Sequence, residues 1–303
     1  MESGITVVLP VYNRADIVPA TLESLEKQTA RGWNLILVDN NSTDGTMDVL
    51  QEWRKRVGPG HINIDIISEL TPGAASARNA GLAKVSTDWV MFFDSDDVMS
   101  PGHISRILDG ISANPRASLI GWDILRHTSP LYTARFCDRD ITWNSVFHGS
   151  MSTQRWAART SLVRRAGAWN PSLSLWDDIE LGIRMAALEP QTVKLSGEVT
   201  VHVYPQKESI TGEYCDDYFT RMSPAAAAMR ATLGDKAVWT DFIVMRELAV
   251  AARAGYTSDL THTLRNSLLA GKSTWMALLL RLSYRYTLAG LRGIDRIIKP
   301  FIY

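Results

Sequence analysis

The first hundred residues alternate between two hydrophobic periods. Ile5 to Leu9, Leu35 to Val38 and Trp89 to Phe93 are short continuous apolar runs, and Ile62 to Ile67 alternates apolar with polar, so all four read as strands. Between them, Ala20 to Gln28, Thr46 to Arg56 and Ala74 to Ala83 carry apolar residues at helical spacing. Strand and helix in this alternation predict a mostly parallel central sheet flanked by helices, with right-handed connections. From Leu119 to Tyr204 the pattern is mixed: short β-like runs, a helix from Thr160 to Arg165, another from Asp178 to Leu188, and a β-like end from Val199 to Tyr204. After Glu213 the strand signals fade. Tyr218 to Leu233, Trp239 to Ala254, Asp259 to Leu269 and Met276 to Ile298 all read as helices. The expected organisation is an α/β domain over residues 1–212, in two halves meeting at 98/99, then a helical region over 213–303.

The strand ends concentrate the polar chemistry. The run Val90 to Phe93 breaks into Asp94-Ser95-Asp96-Asp97, three carboxylates within four residues. Such acids repel one another unless a cation or a partner compensates. Hard oxygen ligands at a strand terminus suit Mn2+ or Mg2+ holding a diphosphate. The location fits an open α/β sheet, where ligands sit beyond the carboxyl ends of the strands. A solvated acidic turn ahead of the helix after Pro101 is the plainer alternative. The first strand closes on Leu9-Pro10-Val11-Tyr12-Asn13, where Pro10 stops the ladder and Tyr12 offers a flat ring. The second ends on Asp39, able to accept from a base or ribose, and Asn40 to Thr46 then turn and cap the next helix. Small residues from Gly73 to Gly81 allow a close approach, and Arg78 within them can present its fork to a phosphate or a base edge.

Composition narrows the classes. Lys plus Arg and Asp plus Glu number 32 each, so net charge gives no reason to expect a nucleic-acid partner. Two cysteines, Cys137 and Cys215, without a CxxC spacing, suit a reducing compartment and point to a cytoplasmic chain. No signal-peptide pattern opens the chain, and no apolar run approaches a membrane span. Neither GxGxxG nor GxxxxGK[ST] occurs, so a diphosphate here would need a metal rather than a glycine loop.

A second acidic pair, Asp177-Asp178, opens the helix that runs to Leu188 and follows Trp176. A carboxylate at a helix start is oriented by backbone N–H groups and could act as a base; a simple capping pair is the other reading. Trp176 offers a flat ring beside the pair, whereas Trp156 and Trp169 remain open between site and core.

Together, Val8 to Asn13, Leu25 to Gln28, Val38 to Thr46, Ala77 to Gly81 and Phe93 to Asp97 resemble the family 2 glycosyltransferases of the GT-A fold, in the family's order and spacing. The resemblance covers roughly the first two thirds of the chain. It implies a metal-dependent, inverting glycosyltransferase that takes a nucleotide-diphosphate sugar donor, a UDP-sugar by preference. The acceptor would be a hydroxyl of a glycan or lipid-linked molecule in surface polysaccharide or lipopolysaccharide synthesis. Residues 1–98 would be the nucleotide-sugar half and 99–212 the acceptor half. By similarity, Pro10, Tyr12, Asp39 and Arg78 lie around the nucleoside, and Asp94 contacts the ribose or the metal's water shell. Asp96 is the metal ligand with Asp97 beside it, and Asp178 is the general base. The family places Glu-Asp where this chain has Asp177-Asp178, which leaves the shorter Asp177 an acceptor-side residue with Trp176. Some relatives use a His after the base helix as a third metal ligand; His202 stands there, with a structural His as the alternative. Lys207, Ser209 and Thr211 follow in an expected closing loop. The rivals are a catalytically degenerate glycan-binding or scaffold protein and a sugar nucleotidyltransferase.

The tail sets Arg281, Arg285, Arg292, Arg296 and Lys299 among Leu and Ile residues. A basic amphipathic helix can lie on an anionic membrane surface; packing against the catalytic domain or a homo-oligomer contact are the alternatives.

Overall fold

The computed structural model describes residues 2–58, 60–205 and 214–303. Strands β1 (Glu2–Val11), β2 (Trp33–Asp39), β3 (Ile62–Ser68) and β4 (Thr87–Phe92) alternate with helices α1 (Val18–Glu26), α2 (Thr46–Val57) and α3 (Ala74–Lys84). The next stretch holds β5 (Val98–Met99), α4 (His103–Ala113), β6 (Leu119–Trp122), β7 (Ile124–Arg126), β8 (Tyr132–Ala134) and α5 (Ile141–His148). It continues through β9 (Trp156–Arg159), α6 (Thr160–Arg165), α7 (Asp177–Ala186), β10 (Thr192–Leu195) and β11 (Val201–Val203). The main sheet runs β10-β6-β9-β4-β1-β2-β3. Every described pairing in it is parallel except those of β9, which is antiparallel to both β4 and β6. A smaller sheet, β5-β11-β7-β8, lies apart from it in hydrogen bonding.

The continuous apolar runs are explained by burial on both faces. In β1, Ile5, Val7, Leu9 and Val11 pack into one core with α1, whereas Val8 enters the opposite one with Val38, Phe92 and α3. The first strand runs two residues past the expected stop. Pro10 stays in register opposite Val38, and Val11 opposite Asp39. On the β4 side the ladder ends where Phe93 donates to the Val8 carbonyl. Pro10 follows Val8 on that same side, so its missing N–H is not called on.

Beyond β11, α8 (Asp216–Leu233), α9 (Val238–Arg253), α10 (Asp259–Leu269), α11 (Thr274–Leu288) and α12 (Ile294–Ile302) form a helical layer. The single helix expected over Met276 to Ile298 is broken in two. Gly290 and Gly293 sit between the pieces at φ of 81° and 86°, a backbone region that ends helices. The layer shares one hydrophobic cluster with α5 and α7: Trp143, Phe147, Leu175 and Ile183 are buried together with Phe219, Trp239, Leu280 and Ile298. The expected boundary after residue 212 falls outside the described residues.

Candidate active site

The C-terminal ends of β1, β2 and β4 open onto a cleft of about 1710 Å³. Pro10, Tyr12, Arg78, Asp94, Asp96, Trp176, Asp177 and Asp178 all line it. Asp39, Asp97 and His202 do not. Tyr12 is 57% exposed, so its ring is free to stack.

The loop after β2 is locked to the loop after β1. The Asn13 N–H donates to Ser42 Oγ, Asn13 Oδ1 accepts from the Thr43 N–H, and the Ala15 N–H donates to Asp44 Oδ2. Ser42, Thr43 and Asp44 thus hold the rim of the cleft in shape. Asn40 does the same for the other lip, donating to the Glu69 and Thr71 carbonyls and accepting from the Gly73 N–H. Asp39 is buried; its Oδ2 accepts from the Ser42 N–H at 3.3 Å, while its Oδ1 has no partner among the described residues.

Arg78 is placed by α3, which presses against the sheet because a Cβ at Gly81 would collide with Val8. Both of its terminal nitrogens are engaged, while Nε has no partner among the described residues. Nη2 meets Asp94 Oδ1 at 2.8 Å, Nη1 meets Asp177 Oδ2 at 3.1 Å, and the guanidinium lies 4.4 Å from the Trp169 ring centroid. Arg78, which lines the cleft, ties the end of β4 to the start of α7. Trp169 and Trp156 are both buried core residues, in edge contact with Phe92.

The acidic turn after β4 divides. Asp96 faces the cleft, and burial followed by the Asp94 charge pushes its carboxyl up to about 6. Asp97 is 1% exposed, and its Oδ1 accepts from the Tyr204 N–H at 3.0 Å. Burial, then Asp94 and Asp96, push it up to about 8. Neighbouring side chains diverge at the turn, so Asp97 is directed into the protein instead of joining Asp96 as expected. His202 lies outside the cleft lining: its Nδ1 is 3.0 Å from His127 Nε2, and burial followed by His127 lowers its pKa. Among the described residues no three His, Cys, Asp or Glu side chains converge as a metal site. Asp96 still fits a cation shared with phosphate oxygens, because such ions take only one or two protein carboxylates. Lys207, Ser209 and Thr211 lie outside the described residues.

On the opposite wall, α7 starts at Asp177 behind Trp176, whose φ of 60° is uncommon for a bulky residue. That bend sets Asp177 and Asp178 in the first turn, where the helix dipole favours negative charge. Asp178 Oδ1 accepts from the Ile179 N–H at 2.7 Å, and Oδ2 from the Thr153 N–H at 3.4 Å. Burial, then the Asp177 charge, raise the Asp178 carboxyl above the usual range. Glu180, buried on the same helix, is paired with Arg184 at 2.6 Å.

One element escaped the sequence reading. The 3-10 turn Thr153–Arg155 donates from Thr153 to Asp178, from Gln154 Nε2 to Asp94 Oδ2, and lines the cleft with Arg155. It joins the two acidic walls, yet nothing in Ser150 to Arg155 marks it out as a sequence.

Residues 6–146 match the family model described as glycosyl transferase family 2. TuaG of Bacillus subtilis, named as a teichuronic acid biosynthesis glycosyltransferase, is 35% identical over 105 residues, 35% of this chain and 40% of that relative. A PGL/p-HBAD biosynthesis glycosyltransferase of Mycobacterium bovis is 24% identical over 227 residues, 74% of this chain and 85% of the relative. Crystalline S. aureus TarS 1–349 in complex with UDP-GlcNAc superposes with a TM-score of 0.67 at 14% identity, covering 99% of this chain and 93% of that 1–349 chain. The mannosyltransferase PcManGT of Pyrobaculum calidifontis, with GDP-Man and Mn2+, gives 0.53 at 16% identity over 98% of this chain and 87% of that one. The fold is therefore GT-A-like, extended by C-terminal helices. The matched stretch, residues 6–146, carries the ends of β1, β2 and β4, and it is over this stretch that the chain is similar to glycosyl transferase family 2.

Proposed function

We propose that the protein is an inverting glycosyltransferase. It moves one sugar from a nucleotide-diphosphate donor, a UDP-sugar by preference, to a hydroxyl of a surface glycan or lipid-linked acceptor. The observation that carries this reading is the pair of carboxylate walls facing one cleft, Asp96 after β4 and Asp178 at the start of α7, with Arg78 fixing their separation through Asp94 and Asp177.

In this reading the nucleoside lies against Pro10 and Tyr12, with Asp39 Oδ1 behind them to accept from a base N–H. Asp178 takes the proton of the acceptor hydroxyl as that oxygen attacks the anomeric carbon in line, and the bond from the sugar to the diphosphate breaks. Its raised carboxyl makes it a stronger base than a solvated Asp. Trp176 borders the acceptor. Asp96 would hold Mn2+ or Mg2+, which when bound neutralises the departing diphosphate. The printed UDP-GlcNAc of TarS and the GDP-Man and Mn2+ of PcManGT support a donor of this class. Residues 1–98 then serve the donor and 99–212 the acceptor, with the helices beyond them backing the acceptor wall. Exposed apolar residues on those helices suit contact at a membrane surface.

Calorimetry with UDP and Mn2+ tests the donor site. Binding is expected, and Asp96→Ala should abolish its metal dependence with the fold intact by circular dichroism. Turnover of a UDP-sugar separates this reading from a scaffold, and absence of both binding and turnover across a panel of nucleotide sugars would overturn it.

A further inference from the structure

The acceptor half of the cleft is cationic in a place that the proton transfer does not use. Arg155 is 2% exposed and lines the cleft. Its Nη1 donates to the His148 and Gly149 carbonyls at 3.2 and 2.8 Å, closing the C-terminus of α5. Its Nε and Nη2 meet no acceptor among the described residues. The charged groups acting on it are Arg126, a second cation lining the cleft, and Asp123. Asp123 is already committed, to Lys194 at 2.8 Å and to the Phe136 N–H at 2.7 Å. A buried guanidinium with unmet donors and a like charge beside it is costly. A bound oxyanion removes both costs, because the guanidinium fork matches phosphate and carboxylate in two parallel hydrogen bonds. Burial and Arg126 also hold Arg155 down to about 10, and an oxyanion beside it would oppose both effects. The place is set by the chain: Arg155 is two residues beyond Thr153, whose N–H holds Asp178. Arg155 therefore lies on the base side of the cleft, while Arg126 acts both on it and on Asp97 after β4.

We propose that Arg155 and Arg126 form an oxyanion subsite that selects an acceptor carrying a phosphate or carboxylate close to its reacting hydroxyl. This rests on the glycosyl-transfer reading above.

The test titrates inorganic phosphate into UDP-saturated protein by calorimetry, for the wild type, Arg126→Gln and Arg155→Lys. A glycerol-phosphate oligomer, an oligogalacturonate and a neutral glucan oligomer are then compared. Phosphate should bind without displacing UDP, and each substitution should weaken it about tenfold or more while UDP affinity stays unchanged. One anionic oligomer should bind better than the neutral one and lose that advantage in Arg126→Gln; which of them does so names the anion. Phosphate that displaces UDP, or variants that lose UDP together with phosphate, would assign these cations to the donor and overturn the proposal. Equal phosphate affinity in all three proteins would overturn it as well. Should Arg155→Lys not fold, the half-exposed Arg126→Gln decides alone. Failure of the wild type to bind UDP would remove the transfer reading and this subsite together, whereas UDP binding without phosphate binding removes the subsite only.

Discussion

Asp177 and Asp178 are adjacent in one helical turn but differently engaged. Asp177 is neutralised by Arg78, whereas Asp178 accepts only from backbone N–H groups. Burial raises both carboxyls, but only Asp178 has its side chain clear of an ion pair and so open to an acceptor proton. Asp178→Asn keeps the shape and removes the base, so transfer should fall about 10²–10⁴-fold with UDP affinity near normal. A loss of only a few-fold, with Asp177→Asn inactive, would move the base one residue upstream. A pH profile adds an independent check. Only the ionised form of Asp178 can take a proton, and burial followed by Asp177 raises its carboxyl. The acid limb of kcat should therefore sit above the ordinary Asp value of about 3.9. Asp177→Asn, by removing the second cause, should shift that limb to lower pH; a limb that stays in place would mean another group controls it. The strand-end acids were legible in sequence because a run of Asp after an apolar strand is a one-dimensional pattern. Gln154 was not, because its role exists only through Asp94, 60 positions away, and that of Thr153 only through Asp178, 25 away.

At the scale of elements, periodicity predicted the strands and helices of the first hundred residues well, since each buries a face that its own sequence marks. It failed where backbone geometry overrides side-chain pattern, as in the broken terminal helix at Gly290 and Gly293 and the strand that continues through Pro10. The contact of α3 with β1 is a case of backbone proximity that sequence hints at through small residues. Gly81→Ala would drive a methyl into Val8 and Val38, and should cost about 1–3 kcal/mol by denaturant unfolding. A loss below the error of the measurement would mean that α3 can retreat freely. Helix α4 opens on His103, fully buried, with Nδ1 2.8 Å from Thr200 Oγ1 and Nε2 without a partner among the described residues. Burial, then Arg106, depresses its pKa to about 3. Between that value and its unfolded value near 6.5, the unfolded chain binds the extra proton, so stability should rise with pH across this window and fall on acidification. His103→Gln should flatten the pH dependence of Tm there; an unaltered slope would shift the acid sensitivity to the carboxylates.

For the molecule as a whole, the tail is less simple than a basic amphipathic helix. Lys299 is turned inward, to Asp140 at 2.6 Å and over the Trp143 ring, and Asp295 pairs with His148 at 3.1 Å. Trp275, Leu278 and Leu282 remain exposed at helical spacing on α11, with Ile297 and Phe301 exposed on α12 and Trp275 meeting Phe301 ring to edge. No helix among the described residues is long and apolar enough to cross a membrane. Flotation with anionic vesicles should capture the protein, and Leu282→Ser with Phe301→Ser should reduce that capture without altering UDP binding. If flotation and sedimentation of the double variant both match the wild type, neither membrane contact nor self-association uses this face. Removing the helices outright is a poor test, because Leu279, Leu280 and Ile298 are part of a core that reaches α5 and α7.

That shared core bears on how such enzymes can be recombined. A hybrid joined near residue 212 would keep Asp178 on its own helix but seat that helix on foreign side chains, where Leu175 and Ile183 expect Phe219 and Trp239. The unit that packs together is then α5, α7 and the terminal helices, and a graft that keeps this core whole has its seam upstream of Ile141.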